Sequence, residues 1–100
     1  MKEHALSRAI EAIDVFVSAL SEPLRAEDRA ADWTSGGQKA WLSYMNDLRA
    51  RLLRGVGPGG AQYNLMRGLN FDGIGTGRLA DHARRVQRRL AEAFPDRIGE

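Results

Sequence analysis

Six cations crowd one stretch near the C-terminus: Arg78, His82, Arg85 and Arg89 recur at spacings of four, three and four, and Arg84 and Arg88 flank them. On a helix these residues form one basic face. Guanidinium groups suit phosphate because the planar fork donates to two oxygens at once. The five arginines Arg78, Arg84, Arg85, Arg88 and Arg89 would suffice for salt-sensitive binding to a nucleic-acid backbone. The alternative is that Asp81, Glu92 or the acidic N-terminal segment neutralises them. The preceding glycine turn is looser than a helix-turn-helix connection, and no Asn or Gln cluster stands nearby to read base edges.

That turn, with Gly73, Gly75 and Gly77, precedes a helix start where free amides can hold an anion. No strand precedes it and no Lys-Ser or Lys-Thr pair follows, so it reads as an interhelical turn capped by Thr76. For acid–base chemistry the candidates are His4, His82 and scattered carboxylates. Asp81 and His82 are adjacent and so point in different directions, and two histidines without a third ligand make no metal site. The expectation is no catalytic group, no cofactor and no metal. The aromatic residues gather in the middle of the chain; Trp41 shares a stripe with Met45 and Leu48, which leaves Trp33, Tyr44 and Tyr63 as candidates for a protein-contact surface.

These side chains need a scaffold, and composition restricts it. The absence of cysteine excludes disulfides, thiolate metal sites and thiol nucleophiles, and points to the cytoplasm. The apolar run Ile10–Leu20 is interrupted by Glu11 and Asp14, so it neither spans a bilayer nor makes a signal-peptide core. Residues 1–33 hold four basic and seven acidic groups, the remainder eleven and six, which gives a two-signed surface. Thirteen of the fifteen basic residues are Arg. This reflects either phosphate recognition or the codon usage of a GC-rich bacterial or phage genome.

Every long apolar pattern is helical. Leu6, Ile10, Ile13, Val17 and Leu20 form one stripe, widened by Ala9, Phe16 and Ala19; Trp41, Met45, Leu48 and Leu52, with Leu42, Tyr44 and Leu53 beside them, form a second; Leu79, Ala83, Val86, Leu90 and Phe94 form a third. Shorter helices are expected after Pro23, with Ser21 as cap, and around Leu65, Met66 and Leu69, with Phe71 anchoring the exit. Ser35 and Gln38 make a capping-box pattern and Gly55 a C-cap. The expectation is an all-α, single-domain bundle of four to five helices over about 3–20, 23–31, 36–54, 61–70 and 77–94. No period-two alternation supports a sheet and no fixed period a solenoid.

From Tyr63 to Asp81, about a fifth of the chain, the sequence resembles a family of small uncharacterised bacterial helical proteins bearing a Gly-Gly-Met-Gly-Ser turn. Gly73, Ile74, Gly75 and Thr76 carry the match, and the Asn-Asp pair expected after the turn is missing. The resemblance implies a helical fold and no activity. The functional expectation is a non-catalytic protein-interaction module, a small regulator or inhibitor or a homodimer, whose partner is another protein or a second copy of itself. The alternative is a nucleic-acid-binding protein using the Arg-rich C-terminal face.

Overall fold

The computed structural model describes residues 2–58, 65–71 and 73–95. Five helices and no strand are found among them: α1 (Lys2–Leu20), α2 (Ala26–Ala30), α3 (Ser35–Leu53), α4 (Leu65–Phe71) and α5 (Arg78–Ala93). The all-α expectation holds. The Cα radius of gyration of 13.0 Å is that of a compact chain of this length, about 13 Å.

α1 is the central element, packed most extensively on α5 and also on α3. Phe16 stacks on His82 near the start of α5, while Leu6 meets Phe94 beyond its end, so the two helices run antiparallel. The buried stripe of α1 is Ala9, Ala12, Ile13, Phe16, Ala19 and Leu20, whereas Leu6, Ile10 and Val17 sit half-buried at its edge. The helix is thus rotated from the expected face. Three buried alanines on α1 meet a partner that also buries Ala80 and Ala83; small side chains permit the close approach of these two helices. The expected inner faces of α3 (Trp41, Met45, Leu48, Leu52) and α5 (Leu79, Ala83, Val86, Leu90) are buried as read, but Leu53 is 58% exposed and Phe94 half-buried.

The connections differ from expectation in ways their hydrogen bonds explain. Ser21 does not cap α2; its hydroxyl donates back to the Val17 carbonyl at 2.8 Å and finishes α1. Residues 23–25 stay outside the helix, so α2 shrinks to five residues with an extended Arg25 as N-cap. Arg carries no side-chain acceptor. The third helical residue, Asp28, supplies half of a capping box instead, accepting from the Arg25 amide at 2.9 Å. α3 is capped by Thr34 rather than Ser35, through a 3.0 Å bond from the Gly37 amide, and Gln38 donates to the Glu22 carbonyl. α5 starts at Gly77 with no side-chain cap, so Thr76 does not serve that role.

α2 ends in a Schellman turn. The Trp33 amide reaches the Asp28 carbonyl at 3.1 Å and the Asp32 amide the Arg29 carbonyl at 3.0 Å. Asp32 takes the left-handed position at φ 73° that glycine usually fills. α3 ends the same way, with Val56 bonded to Arg51 and Gly55 to Leu52 around Gly55 at φ 76°.

α2 is fixed to α5 by charge. The Asp28 carboxylate, 2% exposed as a residue, accepts from Arg78 at 2.7 and 3.3 Å, and a Cβ on Gly77 would meet the Ala31 Cβ at 3.2 Å. Burial pushes the Asp28 carboxyl up, but the Arg78 hydrogen bond, the Arg25 amide and the charges of both arginines outweigh it and hold it below its ordinary value. The carboxylate is therefore more readily ionised folded than unfolded. Its contribution to stability is present above about pH 4 and is lost as pH falls through the folded value.

Two outcomes are expected in urea denaturation. Arg78→Leu leaves a buried carboxylate unpaired and lowers stability by about 3 kcal/mol, whereas adding Asp28→Leu restores much of that loss; additive losses would show that the two groups do not interact. Asp32→Gly relieves the left-handed strain and stabilises by roughly 0.5–1 kcal/mol, and a loss on that substitution would assign Asp32 a contact of its own.

Candidate functional site

The arginines of α5 do not form an open basic face. Arg78 turns inward to Asp28, with Glu22 and Glu27 at 3.9 and 3.8 Å, and only 19% of its side chain is exposed. Arg84 is tied to Asp81 three residues back and to the Gly75 carbonyl at 2.7 Å, and Arg89 pairs with Glu92 at 2.9 Å. Arg85 and Arg88 remain exposed, without a side-chain partner among the described residues. Five expected phosphate contacts thus reduce to two free guanidinium groups, and Arg78 is corrected from a surface contact to a structural one.

The aromatic contact surface is likewise revised. Trp33 is 3% exposed and packs in the core; as the residue after the Schellman turn its indole folds back on the bundle rather than outward. Its Nε1 is buried and lacks a hydrogen-bond partner among the described residues. Tyr44 is half-buried, edge-on to Trp41 with ring centroids 5.3 Å apart. Burial, and then the charge of Asp47, pushes its hydroxyl pKa up. Tyr63 lies outside the described residues.

His82 lies flat on Phe16 at a centroid distance of 6.2 Å and an angle of 25°. Burial, followed by the charges of Arg78 and Arg85, pulls its pKa below the ordinary imidazole value against the opposing pull of Asp81 and Glu22. Among the described residues no carboxylate or hydroxyl orients it by a hydrogen bond, as a general base would require. Among the described residues no three His, Asp or Glu side chains gather to hold a metal ion, and no helix is long and apolar enough to cross a membrane.

The feature missing from the sequence reading lies at the far end of α1. Leu6 of α1, Leu52 at the end of α3, Gly55 and Val56 of the following turn, and Ala93 and Phe94 at the end of α5 line an apolar cleft of about 140 Å³. Val56, in its lining, is 44% exposed, and Leu53, which is not a lining residue, is 58% exposed on the last turn of α3. The turn is held firmly: the Arg51 guanidinium grips the Gly57 carbonyl at 2.9 and 3.1 Å, over the Schellman bonds already described. Leu53 is a full 100° around the helix from Leu52, so an α3 that buries Leu52 presents Leu53 outward. A signal existed in that angle, but three consecutive apolar-rich turns masked it.

Charge adds a second character. Among the described residues Arg8, Arg29, Lys39, Arg51, Arg54, Arg85 and Arg88 have no side-chain ionic partner, against Glu11 and Asp32 among the carboxylates. Arg54 follows directly on Leu53 as the C-cap of α3. Among the described residues the unpaired charges are therefore mostly cationic, while the chain as a whole carries +2. Comparisons with known protein families, with characterised proteins and with solved structures find no match.

A pair of substitutions separates the exposed leucine from its buried neighbour. Leu53→Gln is expected to change thermal stability by less than about 0.5 kcal/mol, while Leu52→Ala costs about 2–5 kcal/mol. An equally large loss for Leu53→Gln would make that side chain part of the core.

Proposed function

We propose that this protein is a non-catalytic protein-interaction module, a small regulator or inhibitor that acts by binding. The partner is a protein presenting an apolar side chain flanked by carboxylates. The observation that carries this reading is the apolar cleft between α1 and the ends of α3 and α5, with Val56 exposed in its lining and Leu53 exposed on the last turn of α3. Large apolar side chains exposed around a concave apolar site are costly to leave in water and mark contact surfaces. An apolar cavity of roughly 150 Å³ takes a group the size of benzene, so the cleft matches one anchoring side chain. Interfaces concentrate their energy in such anchors. The cationic surplus, with Arg54 beside Leu53, supplies charge complementarity to an acidic partner and speeds encounter.

Nucleic-acid binding is the second reading, and Arg85 and Arg88 favour it. Two phosphate contacts give a salt dependence of only about tenfold between 50 and 200 mM, against 10³–10⁵ for a surface making six to ten. Such an interaction is weak and non-specific.

The test is affinity capture on the wild-type protein and on a Leu53→Asp, Val56→Asp variant of unchanged circular dichroism, with light scattering of each. A protein retained by the wild type and lost by the variant is the expected result. Equal retention by both removes the apolar end from the assignment. Recovery of nucleic acid instead, released by salt and lost on Arg85→Glu with Arg88→Glu, replaces this reading with the second.

A further inference from the structure

His82 occupies a place for which neither a catalytic nor a contact role accounts. Its ring is half-buried at the seam of α1 and α5 and lies on Phe16. Arg78 stands one turn before it and Arg85 one turn after it on the same helix. Arg78 cannot swing aside, because it is committed to the buried Asp28 at 2.7 Å. The two carboxylates near the imidazole are also engaged: Asp81 with Arg84, and Glu22 with Arg25 and Arg78. α1 offers the ring the Phe16 face, and the α1–α2 connection offers Glu22.

A neutral imidazole is an apolar plate against Phe16. A protonated one is a third cation in the row Arg78, His82, Arg85, and the carboxylates near it among the described residues, Asp81 and Glu22, already have arginine partners. We propose that His82 is a pH-responsive latch, whose protonation in mild acid loosens the first turns of α5 from α1 and, through Arg78, from α2. The element it acts on is small. α2 has five residues, too few to hold a helical form without tertiary contacts, and α5 begins without a side-chain cap.

The sign follows from the burial of the ring and the charges of Arg78 and Arg85, which hold its pKa below the ordinary 6.5 in the folded chain. The unfolded chain therefore takes up the proton first as pH falls. The stability that His82 contributes is complete above about pH 6.5 and is lost as pH drops through the folded value. Asp28 titrates below its ordinary 3.8, so a range ending at pH 5.0 separates the two groups.

The experiment combines two readouts on the whole protein. The first is NMR titration of the His82 ring in the folded protein, with the urea-denatured protein as reference. The second is the melting temperature at pH 7.5 and 5.0 for the wild type, His82→Phe and His82→Gln. Phe keeps a ring on Phe16 and Gln keeps a polar side chain, so one substitution covers a folding defect in the other. The expected result is a His82 midpoint below that in the denatured chain, amide shifts at Asp28 and Arg78 that follow the same midpoint, and a wild-type melting temperature that falls by several degrees more than that of either variant. A His82 midpoint at or above that in the denatured chain, or wild-type and variant melting temperatures that fall in parallel, overturns the proposal.

Discussion

A single buried carboxylate organises one end of this molecule. Asp28 serves three partners at once: its side chain accepts from Arg78 and from the Arg25 amide, and its carbonyl accepts from the Trp33 amide. Removing a carboxylate from water costs several kcal/mol, which its hydrogen bonds must offset. The pair is therefore weak evidence for net stability but strong evidence for position. It is the shortest and most buried of the contacts that place α2 against α5, with Glu27 at 3.8 Å from the same guanidinium as a longer one. The same pair holds Arg78 beside Glu22 and His82, so the electrostatics of the α1–α5 seam follow from it.

The parts of the fold legible in the sequence were those in which one helix decides its own face. α3 and α5 bury the residues that their three-and-four spacing selects, because each has one wide apolar stripe and polar residues elsewhere. α1 has apolar residues around more of its circumference, and which of them are buried depends on α3 and α5 flanking it. Small alanines won over Leu6 and Ile10 because close approach to α5 requires them. α2 carries too thin an apolar face to set its own limits. Its start at Ala26 and its end before Asp32 come from Asp28 and a Schellman turn rather than from propensity.

The arginine face shows the same division between local and distant partners. Asp81 to Arg84 and Arg89 to Glu92 are spaced three apart, and their pairing was readable from the sequence alone. Asp28 and Arg78 are 50 residues apart, and no local pattern joins them. Arg78 was thus counted with the surface when its partner lay in the other half of the chain. Trp33 was misplaced for the related reason that a break between helices reads as exposed until a turn is seen to fold it back.

The two ends of α1 differ in what they require. Near Leu20 lie the ionic contacts that fix register: Glu22, Asp28, Arg78 and the His82 ring. Near Leu6, roughly 20 Å away at 1.5 Å per residue, three helix ends converge on apolar side chains that do not close over one another. A charged end is satisfied only in one geometry, since a misplaced carboxylate would be buried alone. An apolar end tolerates an open cleft, because apolar groups lose only part of their burial there. At that second end Arg51 and the turn after α3 hold Val56 in a fixed position. α5 belongs to both ends, so a change at its first turn can reach the cleft only by moving the helix as a body or by shifting its balance of contacts with α1.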